Sequence, residues 1–434
     1  MSRSPDPAVT AAPRLTIGWP DARRPGRLAE HHARYGPLPA AGRTGGGLAD
    51  AVTSAGLTGR GGAGFPTGTK LRAVASGRGP AVVVANGMES EPASRKDQAL
   101  LARAPHLVLD GAVLAARAVG ADTVHVCLDR ARTGQAGQVR EAIEERHRAG
   151  LDPVRLLVHE LPHRYVSSEA TALVSWLNGG DARPTARPRR PSESGVGRRP
   201  TLVDNVETLA HIALIARYGP DWFREAGDPD APGTMLVTAA GAAARPGVYE
   251  IEGGTQVGDV LAISGAAAGP VLIGGYFGTW HRAADVAGLP LTAAGLRAAG
   301  GSPGAGVVYA LPAGHCGLAA AARILRYLAQ QGAQQCGPCR FGLPAIAADF
   351  EQLAAARPEG DLLGRLGRRL RVIPGRGACA HPDGAVAMAA SALTVFAADA
   401  RAHAAGHACP AAAQRDPQAQ RRPAPRPGPG GGWR

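Results

Sequence analysis

The sequence predicts an α/β layer with a largely parallel sheet, then a small β-grasp-like domain, then a helical bundle. Three observations carry that order. Between residues 47 and 231, apolar strand-like runs alternate with amphipathic helical stretches, the pattern of a layered α/β unit. From Met235 the texture shifts to short apolar runs separated by glycines, which reads as a compact β-rich unit over 232–315. Residues 316–356 and 360–399 are Ala- and Leu-rich helical stretches, which gives a bundle over 316–400. Residues 1–46 read as a peripheral arm and 401–434 as a disordered basic tail.

Taken in chain order, LADAVTSAGL from Leu48 forms a helix that ends in the glycine-rich run Gly59–Lys70. A short helix follows, then an apolar strand at Ala81–Ala85. Helix His106–Val119, strand Thr123–Leu128, helix Gly137–Ala149 and strand Val154–His159 continue the alternation. Residues 179–200 are a Pro/Arg/Gly-rich loop, and Leu202–Tyr218 returns to helix. In the second unit MLVTAAG, GVYEI and PVLIGGY are strands, with a helical segment at Gly258–Ser264 between them.

Composition narrows the function. Apolar residues make up 45% of the chain but aromatics only 4%, so the cores are built from Ala, Val and Leu. No window approaches the roughly twenty uncharged apolar residues of a membrane span. The N-terminus lacks the apolar core of a signal peptide. The expectation is a cytoplasmic protein with no transmembrane segment, compatible with peripheral association with a membrane complex. The formal charge of +13 resides mostly in two places, residues 183–199 and the tail from 401, each with six Arg against one acid. With no basic helix or zinc-finger spacing, specific nucleic-acid binding is not expected. Only two of the 48 basic residues are lysines, Lys70 and Lys96, and both fall in the most distinctive part of the chain.

Three clusters carry chemistry. Gly59, Arg60, Gly61, Gly62, Ala63 and Gly64 satisfy G-x-G-x-x-G, yet a helix precedes the run where a dinucleotide fingerprint needs a strand. Closely spaced glycines still let backbone N–H groups converge on a phosphate, and Lys70 is placed to complete that cradle. Asn86-Gly87-Met88-Glu89-Ser90-Glu91-Pro92 directly follows the first strand, where ligands of α/β sheets bind. Cys336-Gly337-Pro338-Cys339, with Cys379 downstream, follows a helix and not the strand of a thioredoxin-type dithiol. Soft-metal ligation, by an iron–sulfur cluster or zinc, is the better reading, with Cys316, His381 or neither as fourth donor.

Together these clusters resemble the flavin-binding F subunit of respiratory complex I and the flavin subunits of NAD-linked hydrogenases and formate dehydrogenases. The stretches that carry the resemblance are GLTGRGGAGFPTGTKL (56–71), VVVANGMESEPASRKD (82–97) and RYVSSEATALVSWLNGG (164–180). SGVGRRPTLVDNVETLA (194–210), QQCGPCRFGLP (334–344) and GACAHPDGAV (377–386) complete the set. The resemblance implies a Rossmann-like FMN-binding domain, a ubiquitin-like domain and a helical bundle carrying a [4Fe–4S] cluster. It implies an FMN site made by the glycine loop with Lys70, Asn86, Glu89, Glu169, Asn205 and Thr208. NADH would lie over the flavin near Phe65 and Glu91, and Cys336, Cys339 and Cys379 would hold the cluster. Electrons would pass to or from a ferredoxin or a thioredoxin-like [2Fe–2S] subunit. Rival readings are an FMN relay that no longer uses NADH, and a non-catalytic scaffold of the same fold.

The departures from the family pattern are local. Met88 stands where the family has an acid, and Ala170 replaces an acid expected near NADH. Ala73 and Arg190 stand at aromatic positions, Arg187 at a lysine, Asp204 at an asparagine, and Ala333 at the first cluster cysteine.

Overall fold

The computed structural model describes residues 13–19, 26–39, 47–186, 189–267, 269–413 and 433. Most of the expected N-terminal arm, Arg187, and residues 414–432 and 434 of the expected tail lie outside the described residues.

The first unit is built on a four-stranded sheet in the order β3-β2-β1-β4. Its strands are β1 (Ala81–Gly87), β2 (Ala121–Asp129), β3 (Arg155–Leu161) and β4 (Thr201–Asn205), and every pairing is parallel. Strands β1 and β2 read as near-continuous apolar runs because helices cover both faces, the usual state of a parallel sheet. The sequence reading missed β4. TLVDN runs into the helix Val206–Tyr218 without a turn residue, so five strand residues merged into one long helical pattern.

Helices Pro105–Val119 and Val206–Tyr218 pack against the sheet and against each other. Their close approach rests on Gly111, where a Cβ would overlap the Leu209 carbonyl oxygen. At the outer end of this pair, buried Asp110 takes Arg146 at 2.6 Å and His31 at 2.7 Å, and also pairs with Arg217. Those partners outweigh burial and hold its carboxyl far below the usual carboxylate range.

A two-residue ribbon, β5 (Gly227–Asp228) with β6 (Ala231–Pro232), leads into a five-stranded mixed sheet. It comprises β7 (Thr234–Gly241), β8 (Gly247–Glu252), β9 (Pro270–Ile273), β10 (Thr279–Arg282) and β11 (Val307–Ala310), in the order β10-β9-β11-β7-β8. Only the β11–β7 pair is parallel. Helix Val257–Ser264 packs on this sheet over a core that includes Val237, Ile251, Val260 and Val271.

The C-terminal helices are Gly317–Gln331, Leu343–Ala354, Leu362–Val372, His381–Val395 and Ala397–Ala404, around Leu325, Ile346, Phe350 and Met388. The last helix crosses residue 400, and Pro410–Ala413 forms a further short turn, so the tail expected to be disordered from 401 begins as ordered structure. Trp280 of β10 joins sheet to bundle: its amide donates to Ser391 Oγ at 2.9 Å and its ring packs on Phe396. No single helix among the described residues is long and apolar enough to cross a membrane.

The Gly111 contact sets the spacing of the helix pair behind β1. Gly111→Ala should lower stability by roughly 1–3 kcal/mol through overpacking. The midpoint of chemical denaturation checks this; an unshifted midpoint would mean that the two helices yield freely.

Candidate functional site

A cavity of about 450 Å³ opens at the carboxyl ends of β1 and β4. It lies where the strand order reverses, since β2 leaves β1 on one side and β4 joins it on the other. Such a switch point forms a crevice in parallel α/β sheets. All three units contribute walls. Arg60–Ala63, the 86–97 segment, Tyr165–Glu169 and Asn205 come from the first, Gly274, Phe277 and Ser302–Ala305 from the second, and Cys379–His381 from the bundle.

The glycine loop closes through the Gly59 N–H donating to Phe65 O at 2.9 Å, and the Arg60 N–H donating to Thr208 Oγ1 at 2.9 Å. Gly61 and Gly62 present backbone to the cavity, and Gly62 holds φ +104°, which favours glycine strongly. Arg60 bends back to Thr234 O at 3.0 Å, while its buried Nε has no hydrogen-bond partner.

Beside the loop lies a buried ammonium, Lys96, which is 3% exposed. Its Nζ contacts Asp97 Oδ1 at 2.7 Å, Glu207 Oε2 at 2.8 Å and Asn205 Oδ1 at 3.2 Å. Burial would depress the lysine, but the two carboxylates outweigh it and raise its pKa above the ordinary value. Burial likewise pushes Asp97 up, to about 6, against the pull of Lys96. Glu207 shows the opposite balance: Lys96, His211 and Arg60 overcome burial and hold its carboxyl at about 2.

The other expected acids have defined local partners. Glu89 caps helix Lys96–Arg103, accepting from the Asp97 and Gln98 amides at 3.0 and 3.1 Å and from Ser94 Oγ at 2.6 Å. Glu169 caps helix Ala170–Leu177 through the Thr171 and Ala172 amides. Asn205 caps helix Val206–Tyr218 and donates to Asp97 Oδ2 at 2.6 Å, while Asn86 bridges Ser168 O and the Met88 amide. Glu91 accepts from Tyr165 Oη and the Tyr276 amide, both at 2.8 Å, and from the Ala93 amide at 3.1 Å. Gly275 makes room for it, since a Cβ there would press on the carboxylate. Burial pushes Glu91 up to about 7 despite those donors.

Thus Arg60, Gly61, Gly62, Asn86, Glu89, Glu91, Glu169 and Asn205 meet at one cavity. Gly59, Gly64 and Thr208 support its loop from behind. Phe65 does not line it and is 43% exposed. Lys70 has protein partners of its own. Its Nζ is held by Asp204 Oδ1 at 2.6 Å and Val203 O at 2.7 Å, outside the cavity lining. The physical reason is Asp204: a buried carboxylate on β4 needs a cation, and Lys70 supplies it. The lysine in the cavity is Lys96, which the rarity of lysine singled out but the site reading left aside.

In the bundle, Cys336 precedes a wide π-type turn at Pro338–Gly342 and Cys339 lies within it, and Cys336 hydrogen-bonds to Cys339. Cys379 is near enough to both that charge on one would disfavour charge on the others. Burial pushes the Cys339 thiol up to about 12, Cys336 and Cys379 adding to it. His381 lies beside this group: a Cβ on Gly332 would touch Cys339 Sγ at 3.2 Å and His381 Nε2 at 3.3 Å. Its Nε2 pairs with Leu328 O at 2.8 Å, which leaves a buried Nδ1 without a partner. Cys316 is not in this group. It precedes the 15-residue helix Gly317–Gln331, which separates it by about 22 Å from the CxxC end.

A glycine-lined crevice in a parallel sheet, walled on one side by a helix that begins beside grouped thiols, defines a nucleotide-cofactor redox protein with a metal-binding helical module. Known proteins carry this further. The family described as Nuo51 FMN-binding domain matches residues 52–214, and the NADH-ubiquinone oxidoreductase-F iron-sulfur binding region matches residues 319–403. The NADH-quinone oxidoreductase F subunit of Streptomyces coelicolor is 31% identical over 378 residues, 83% of each chain. A second such protein, one of the NADH-quinone oxidoreductase F subunits of Rhizobium meliloti, is 30% identical over 380 residues, covering 84% of this chain and 90% of its own. An NAD+-reducing [NiFe]-hydrogenase superposes with a TM-score of 0.77 at 32% identity. That match covers 82% of this chain, which spans 62% of the hydrogenase chain. The chain belongs to the family of NADH-quinone oxidoreductase F subunits.

The raised pKa of Glu91 makes a pH-linked prediction. A carboxyl at about 7 in the fold and near 4.5 when unfolded destabilises the fold progressively as pH rises through that window, and is neutral below it. Glu91→Gln should therefore flatten the loss of stability between about pH 5 and pH 8, by at most roughly 3 kcal/mol. Denaturation midpoints at both pH values, for parent and variant, measure the difference; parallel profiles would contradict the assignment.

Proposed function

We infer that this chain is a flavin-dependent electron-transfer subunit that takes electrons from NADH through FMN and hands them to an iron–sulfur centre. The single observation that carries the reading is the cavity itself, whose walls include the glycine loop and Lys96 on one side and Cys379 and His381 on the other. One opening thus adjoins both cofactor regions.

The residues fit FMN. The volume suits a small-molecule cofactor, and the glycine backbone in the lining offers N–H groups to a phosphate. Arg60 and Lys96 stand at the inner end with their charges balanced by Asp97 and Glu207, and Asn86 would position a polar ring edge. Bound FMN would supply the change from hydride to single-electron transfer. Tyr165 and Phe277, whose ring centroids lie 4.6 Å apart, line the cavity beside His381. Cys336, Cys339 and Cys379 would hold the [4Fe–4S] cluster. With Ala333 in place of a ligand, His381, whose Nδ1 has no partner, would be the candidate fourth donor.

As part of the same proposal, the mixed sheet is the ubiquitin-like domain and the C-terminal helices are the cluster-bearing bundle, divided near residues 232 and 316. The protein would work beside an iron–sulfur protein or ferredoxin, in the cytoplasm or peripherally on a membrane complex. Ala170 and Arg190, standing where the family has an acid and an aromatic, favour one alternative, a flavin relay that no longer uses NADH.

The test is an anaerobic absorption spectrum. Protein reconstituted with FMN should be yellow and should bleach with NADH; retained colour without bleaching selects the relay, and a colourless protein refutes the flavin reading. Lys96→Met should weaken FMN binding on the order of tenfold to a hundredfold, since a charge-assisted contact is worth about 1.5–3 kcal/mol. Lys96→Arg should restore part of it, with flavin fluorescence quenching as the readout.

Cys379→Ser should strip most iron and sulfide from anaerobically reconstituted protein. His381→Ala should leave iron bound but alter its low-temperature electron spin resonance. Full iron retention in Cys379→Ser would remove Cys379 from the ligand set.

A further inference from the structure

A second group of metal-ligating side chains lies at the opposite end of helix Gly317–Gln331 from the CxxC motif. Cys316, His403 and Cys409 come from three separated places in the chain, yet their ligand atoms all lie within 4.8 Å of one another. Cys316 is the residue before the helix and is 4% exposed, and His403 on helix Ala397–Ala404 is fully buried. Cys409 arrives from the turn beyond that helix and is half-buried. The two thiols are close enough to share a hydrogen bond.

The histidine is oriented as a ligand. Its Nδ1 donates to Leu353 O at 2.9 Å, which fixes the tautomer and leaves Nε2 as the acceptor nitrogen. A metal-bound imidazole characteristically anchors its other nitrogen this way. In the metal-free arrangement Nε2 accepts the Cys409 amide at 2.9 Å, so binding needs only that amide to turn aside. The Leu318 and Ala319 amides, at the helix N-terminus, lie against the Cys316 sulfur.

We propose that Cys316, His403 and Cys409 form a zinc site that clips the C-terminal segment onto the bundle. Two sulfurs and one imidazole are the donor set of a borderline-soft, tetrahedral ion. Ligand separations this short suit one ion with bonds of about 2.0–2.3 Å, after small rotamer adjustments. Binding releases the two thiol protons, so the site becomes neutral: two thiolates, one neutral imidazole and one dication. The fourth position opens to water on the side of half-buried Cys409. The site is separate from the CxxC sulfurs, because the helix holds the two sulfur groups about 22 Å apart.

Zinc bound by the CxxC cysteines is the obvious confusion, and the test separates it. Full-length protein should be prepared with zinc sulfate under reducing conditions, desalted, and assayed for zinc and iron together. The parent and the Cys336→Ser/Cys339→Ser/Cys379→Ser variant should each retain about one zinc equivalent. Cys409→Ser, a change at the periphery that spares the bundle core, should lose that zinc and keep the parent's iron content. Its melting temperature should also stop responding to added zinc. Zinc retained in Cys409→Ser, or absent from the triple variant while that variant remains folded by circular dichroism, would overturn the site. So would a Cys316–Cys409 disulfide mapped by mass spectrometry in the zinc-treated, reduced parent.

Discussion

The structure turns on the buried charge cluster around Lys96. Its ammonium ties together the start of helix Lys96–Arg103 through Asp97, the end of β4 through Asn205, and helix Val206–Tyr218 through Glu207. Glu207 then reaches out of its own unit, its Oε1 accepting the Leu236 amide of β7 at 2.8 Å. One carboxylate therefore joins the parallel sheet to the mixed sheet, and the cavity forms at that joint. Two cations, Lys96 and Arg60, face two acids, Asp97 and Glu207. A buried set of this kind is tolerated only because each charge finds a partner. Removing any member would leave its partner buried and uncompensated, so the geometry of the crevice and the fold of the first unit are linked.

Much of the fold was legible because it is written in local periodicity. The strands at Ala81, Thr123 and Val154 and the helices at His106 and Gly137 fall within two residues of the observed elements at their ends, since unbroken apolar runs and helical stripes report burial directly. β4 was not legible. Five residues are too few to establish a period of two, and its identity as a strand depends on pairing with β1 more than a hundred residues away. The tail showed the same limit in reverse: composition suggested disorder from 401, whereas packing against the bundle orders the chain through Ala413.

The site was legible at the level of motifs and illegible at the level of partners. Clustered glycines and acids pointed to the right crevice because they lie at strand ends. Nothing in the order of residues told that Lys70 would spend its charge on Asp204, or that Lys96 would lie in the cavity instead. The difference is set by a single residue on β4. An asparagine at 204 would leave Lys70 without an anionic partner on that strand; an aspartate creates a buried negative charge beside it. Which lysine faces the cavity is thus a consequence of charge balance across the sheet, and charge balance is a property of the assembled sheet.

The same distinction governs the sulfurs. Read along the chain, Cys316 is nearer to Cys336 than Cys379 is, and spacing left it open as a fourth donor beside His381. A helix converts that short separation into a long distance, because fifteen residues of helix extend about 22 Å in one direction. Cys379 reaches Cys336 and Cys339 only because the chain returns through two further helices, and Cys409 meets Cys316 by the same return carried further along the chain. Helix Gly317–Gln331 therefore acts as a spacer that sorts five of the six cysteines into two groups with distinct donors, while Cys127 stays alone in the sheet core. The imidazoles follow the sorting: His381 lies at one end with a free Nδ1, and His403 at the other with Nε2 as its acceptor nitrogen. The chemistry available at each end is decided by which nitrogen the neighbouring carbonyl, Leu328 O or Leu353 O, has already claimed.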